Sequence, residues 1–141
     1  MKVRRIEHVA IAVENLEESR RFWEGVMGIE LGGTEGFPAL KLEIATYPVG
    51  DSMIELICGT GPNSAYARLV QEKGQLLHHV CLEVEDLDGA LGELRAKGVR
   101  LRDETPRTGH GGARVAFLDP ASTGQVLVEL VEARSTTGEG A

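Results

Sequence analysis

The chain has 141 residues, 42% of them hydrophobic, enough for one domain with a buried core and too few for a larger architecture. Its formal net charge of -7, with Lys and Arg scattered along the chain, excludes the clustered positive surface that nucleic acid requires. No apolar run reaches membrane-spanning length and no signal-peptide stretch opens the chain, so a soluble cytoplasmic protein is expected, with Cys58 and Cys81 as buried free thiols.

Ile6 to Val13 is an apolar, β-branched run broken only by Glu7 and His8, and reads as a strand buried on both faces. Asn15 then caps a helix from about Leu16 to Met27, with Leu16, Phe22, Trp23 and Val26 on its apolar face and Gly28 at its end. Ile29-Glu30-Leu31 leads into a glycine-rich loop, Gly32 to Pro38, followed by two strands, Ala39 to Tyr47 and Ser52 to Ile57. Pro62 to Lys73 reads as a linker with a helical turn. The pattern then repeats: a strand from Leu77 to Val84, Asp86 as cap, and a helix to about Lys97 on Leu87, Ala90, Leu91 and Leu94. Gly98, Val99-Arg100-Leu101, a loop from Thr105 to Gly112, and strands Ala113 to Leu118 and Gln125 to Val131 complete it. An α+β fold of two tandem βαβββ modules is therefore predicted, one over about 4–60 and the other over about 75–132, joined by 61–74. Ser135 to Ala141 has no side chain that would pack and is expected as a disordered tail.

The repeat carries chemistry. His8-Val9-Ala10-Ile11-Ala12 before Val13-Glu14-Asn15-Leu16 is matched by His79-Val80-Cys81-Leu82-Glu83 before Val84-Glu85-Asp86-Leu87, and Met53-Ile54-Glu55-Leu56-Ile57 by Leu127-Val128-Glu129-Leu130-Val131. A single carboxylate inside an apolar strand is costly to bury unless paired, hydrogen-bonded or bound to a cation. Two neutral imidazoles and two carboxylates neutralise a divalent ion, and the mixed N/O set suits Co, Mn, Ni or Zn. Strand alternation sends the neighbouring His78 to the face opposite His79, where a structural or solvent-exposed role is expected. His110, in a glycine-rich loop, is read as an ordinary loop histidine. Lys41, Arg95, Arg102, Arg107 and Arg114 are not distinguishable from surface charge.

These residues resemble the vicinal oxygen chelate superfamily, and within it the methylmalonyl-CoA epimerases. The likeness runs from Ile6 to about Glu132. It is most specific at Ile6-Glu7-His8-Val9-Ala10, Leu77-His78-His79-Val80, Gly109-His110-Gly111-Gly112, and Phe117-Leu118-Asp119-Pro120 leading to the strand ending at Leu130. The resemblance implies a cupped mixed sheet with flanking helices, a homodimer, and one divalent metal per chain, Co2+ by family likeness. His8, His79, Glu129 and Glu55 would be its ligands, Glu55 at a position where some epimerases have Gln. It implies proton abstraction from an acyl-CoA substrate and its return through a metal-stabilised enediolate, with Glu43 and Glu129 as the opposed acid/base groups. Glyoxalase I chemistry and a non-catalytic binding protein are the alternatives within the superfamily. Gln125 departs from the glycine that the family often has before its last strand.

Overall fold

The computed structural model describes residues 1–134; the expected tail, Ser135 to Ala141, lies outside the described residues. Strand β1 (Val3–Val13) is followed by α1 (Leu16–Arg20), β2 (Gly33–Phe37), β3 (Leu42–Val49) and β4 (Ser52–Gly59). After α2 (Ala65–Lys73), the order recurs in β5 (Leu76–Val84), α3 (Leu87–Ala96), β6 (Arg107–Thr108), β7 (Arg114–Phe117) and β8 (Val128–Glu132). The α+β reading as two βαβββ repeats is thus met. Strands run β2-β3-β4-β1 in the first repeat and β6-β7-β8-β5 in the second. In both, the first and last strands pair in parallel and the other neighbours antiparallel.

Two compact units divide the chain at other points than the repeat: His8–His79 forms one, and Met1–Glu7 with residues 80–134 the other. Charge ties the N-terminus into the second of these. Arg5 Nη2 donates to Glu83 Oε1 at 2.9 Å, and the terminal amine pairs with Glu93.

In the unit built around α3, Leu87, Ala90, Leu91 and Leu94 recur at helical spacing and bury against Leu101, Ala116, Leu118 and Leu130. Each such leucine contributes roughly 1.5–3 kcal/mol by leaving water. Asp86 caps the helix by accepting the Gly89 N–H at 3.0 Å. The last strand begins at Val128 rather than Gln125, because Gly124 and Gln125 both adopt left-handed backbone at φ 68° and 73°. That conformation suits a glycine at the Gln125 position.

In the His8–His79 unit, Val13, Leu16, Ala45, Tyr47, Leu56 and Cys58 make one cluster under Trp23, and Ala10, Leu42, Ile44 and Ile57 make another against Phe37 and Tyr66. Asn15 caps α1 as expected, accepting the Glu18 N–H at 2.9 Å. The helix then widens into a π-helix over Arg21–Val26, where a uniform α-helix was expected. Part of the expected loop is β2, since Gly33 to Phe37 pairs with Leu42 to Thr46. A 3-10 turn at Pro38–Leu40 with left-handed Lys41 delays β3 to Leu42. Gly59 is required at the end of β4: a Cβ there would meet the Ser64 hydroxyl and lie 2.6 Å from the Ala67 backbone nitrogen, so α2 sits directly on it. Among the described residues no helix is long and apolar enough to cross a membrane.

One hydrogen-bonded trio fastens the π-helical segment to the sheet. Fully buried Tyr47 donates its hydroxyl to Glu24 Oε2 at 2.7 Å, and Arg20 Nε donates to the same oxygen at 2.7 Å. Arg20 first and Tyr47 second hold the Glu24 carboxyl below its ordinary value. Burial, then the bond to Glu24, pushes the Tyr47 phenol up to about 12. A raised folded value favours the protonated phenol, so this contribution to stability is complete below pH 10 and is lost as pH rises towards about 12. Tyr47→Phe is expected to cost about 1 kcal/mol in denaturant unfolding at neutral pH and to flatten the alkaline fall in stability. An unchanged midpoint and an unchanged alkaline limb would contradict the role of the trio.

Candidate metal centre

Three strands of the His8–His79 unit each bring one polar side chain to a shared face. His8 stands on β1, Glu55 on β4 and His79 on β5, only 6%, 4% and 6% exposed. The parallel register sets Ala10 opposite Glu55, and His8 shares a face with Ala10 because the two are a single alternation apart. Across β3–β4, Thr46 lies opposite Glu55. Ala10, Leu42, Ile44 and Ile57 give that face its apolar surroundings.

His8 Nε2 lies 3.1 Å from His79 Nε2 and 3.7 Å from Glu55 Oε2. One donor atom from each of the three residues lies within 4.8 Å of the other two. The imidazoles meet edge to face, with centroids 5.2 Å apart and an interplanar angle of 74°. Ligand bonds of about 2.1 Å would separate two donors on one ion by about 3.0 Å at a right angle and about 3.4 Å at the tetrahedral angle. The 3.1 Å between the two nitrogens falls in that interval. Two imidazoles and a carboxylate, buried and convergent, therefore fit a first-row divalent cation.

Glu129 belongs to the other compact unit, where it is buried on β8 opposite Cys81 of β5 and Phe117 of β7. The pairing of Cys81 with Glu129 repeats that of Ala10 with Glu55. In both repeats the glutamate stands opposite the residue that follows a histidine by one alternation.

Glu43 is placed differently from expectation. It pairs with Cys58, whereas Thr46 pairs with Glu55, and in this continuous register the odd separation sends Glu43 to the other face of the sheet. There it sits beside Ala45, Tyr47 and Cys58 on the side covered by α1, and its charge contributes to raising the Cys58 thiol, after burial as the main cause. The structure does not bring Glu43 together with His8, Glu55 and His79.

His78 touches His79 although strand alternation sends the two side chains to opposite faces. Its Nδ1 lies 2.8 Å from His79 Nδ1, and the Tyr66 ring packs against it at 4.9 Å between centroids. The doubled histidine was the available signal, but alternation gives the direction of a side chain and not the reach of an atom next to the backbone. A second acidic group, Asp86, Asp88 and Glu132, is bridged by Arg114, which lies 3.0 Å from Asp88 and 3.0 Å from Glu132. His110 begins a 3-10 turn and is half-buried.

A sequence profile of the Glyoxalase/Bleomycin resistance protein/Dioxygenase superfamily matches residues 7–117. The chain is 35% identical over 130 residues to a mitochondrial methylmalonyl-CoA epimerase of Bos taurus, spanning 92% of this chain and 74% of that protein. It is 33% identical over 128 residues to an ethylmalonyl-CoA/methylmalonyl-CoA epimerase of Cereibacter sphaeroides, spanning 89% and 96%. The crystal structure of methylmalonyl-CoA epimerase from Mycobacterium tuberculosis superposes with a TM-score of 0.88 at 29% identity, over 98% of this chain and 93% of that one.

His8→Ala and His79→Ala are each expected to weaken divalent-ion binding by more than about 100-fold while leaving the metal-free protein folded. Competition against a chromophoric chelator, with circular dichroism of the same samples, measures both. Full metal occupancy in either variant would remove these histidines from the centre.

Proposed function

Because the chain belongs to the methylmalonyl-CoA epimerase family of the Glyoxalase/Bleomycin resistance protein/Dioxygenase superfamily, we propose that it interconverts the 2R and 2S epimers of methylmalonyl-CoA with a divalent cation. The observation that carries this reading is the convergence of His8, Glu55 and His79 on one buried face. These three, with Glu129 as fourth donor, would hold one ion per chain. Support for Glu129 comes from the family resemblance and from its register, which repeats that of Glu55. Co2+ is the first choice by family likeness, with Mn2+, Ni2+ and Zn2+ as alternatives. A cytoplasmic homodimer is the corresponding family expectation.

The carbon to be inverted lies between a thioester and a carboxylate, so its proton is acidic enough for a carboxylate base once the developing negative charge is stabilised. Bound at this centre, a divalent cation supplies Lewis-acid stabilisation of that charge, worth several kcal/mol. His8 and His79, as neutral imidazoles, place nitrogen lone pairs without adding charge. Glu55 and Glu129 together balance a dication. The apolar surroundings of Ala10, Ile44 and Ile57 keep the local dielectric low, which strengthens every charge interaction at the site. Glu129 takes the proton from one face of that carbon and later loses it to water, while a proton from solvent reaches the opposite face, which completes the inversion. Glu43 receives no part, since its side of β3 is the α1 side.

Chelator-stripped protein is expected to lose epimerase activity and to regain it with about one equivalent of Co2+, and glutathione hemithioacetal should not be turned over in parallel assays. Full activity in protein verified to be metal-free, or turnover of the hemithioacetal alone, would overturn the assignment. Glu129→Gln should abolish exchange of the α-proton with deuterated buffer. Glu43→Gln should retain epimerisation within about threefold, as expected of a carboxylate on the opposite face; a loss of about 100-fold or more would return Glu43 to the mechanism.

A further inference from the structure

Each nitrogen of the His79 ring faces another imidazole. Nε2 lies 3.1 Å from His8 Nε2, and Nδ1 lies 2.8 Å from His78 Nδ1. A neutral imidazole carries one N–H and one lone pair, so whichever nitrogen donates decides what the other offers. If Nδ1 of His79 carries the proton and donates it to His78 Nδ1, the Nε2 lone pair is turned towards His8 and Glu55. The opposite tautomer would put a hydrogen where a cation has to sit.

We infer that His78 is a positioning residue for the candidate metal centre: its Nδ1 accepts the His79 Nδ1 proton and holds the His79 Nε2 lone pair towards His8 and Glu55. This rests on the metal-binding reading above. The arrangement is supported from outside the strand. Tyr66 packs its ring on His78 at an interplanar angle of 53°, and α2, which carries Tyr66, is seated by the close approach of Gly59 to Ser64 and Ala67. His78 and His79 rings are themselves nearly perpendicular, at 77° with centroids 5.0 Å apart, which lets Nδ1 of one address Nδ1 of the other. For His78 to accept at Nδ1 it carries its own proton on Nε2. Fixing a ligand histidine through its second nitrogen raises the basicity of the coordinating one and removes the freedom of the ring to turn away.

Two variants and one spectrum test this. His78→Leu keeps bulk against Tyr66 but offers no acceptor, and should bind Co2+ about tenfold or more weakly than the parent while the metal-free form keeps its thermal midpoint. His78→Asn places an amide oxygen near the position of Nδ1 and should recover most of the loss. A His78→Leu protein that binds Co2+ as tightly as the parent would overturn the inference. In the metal-free parent, ring 15N shifts should show His79 protonated at Nδ1, a readout independent of whether either variant folds; protonation at Nε2 would overturn it equally. If the parent itself binds no Co2+, the metal reading falls and takes this inference with it. Tight binding by the parent, weak binding by His79→Ala and tight binding by His78→Leu remove the role of His78 alone.

Discussion

The structure turns on burying a carboxylate. Glu55 is 4% exposed on β4, and the parallel pairing of β1 with β4 fixes it opposite Ala10, on the face that carries His8. A one-residue slip would carry Glu55 to the face packed by Leu56 and Tyr47 and leave an uncompensated charge under α1. Register, burial and donor geometry are therefore one constraint. Two imidazoles and a carboxylate drawn together among Ala10, Ile44 and Ile57 are favourable when a cation balances the carboxylate, and expensive when nothing does.

The remaining elements can be understood by how they hold that face in place. On the other side of the sheet, the Arg20–Glu24–Tyr47 trio joins the π-helical segment to β3 and keeps the α1 cluster closed. On the donor side, Gly59 lets α2 approach β4, and α2 brings Tyr66 against His78, whose Nδ1 meets His79. Support thus reaches the centre from both layers, through hydrogen bonds on one and close packing on the other.

Much of this was legible in the chain because repetition makes patterns redundant. The two His-Val strands, the caps Asn15 and Asp86 and the two strand-borne glutamates each occur twice at matching places, so errors in one copy are checked by the other. Features present in one copy only were harder. The π-helix at Arg21–Val26 has no counterpart in α3, and nothing in the apolar spacing separates it from an α-helix. Strand β2 is glycine-rich and owes its existence to pairing with β3 rather than to its own propensity. Glu43 needed the register between β3 and β4, which fixes its face relative to Glu55 and which one strand read alone does not contain. His78 needed an interatomic distance.

X-ray absorption of the Co2+-loaded chain is the most direct measurement of the central claim. A first shell of nitrogen and oxygen with outer-shell scattering from two imidazoles is the predicted result. A shell of oxygen alone, without imidazole scattering, would contradict it.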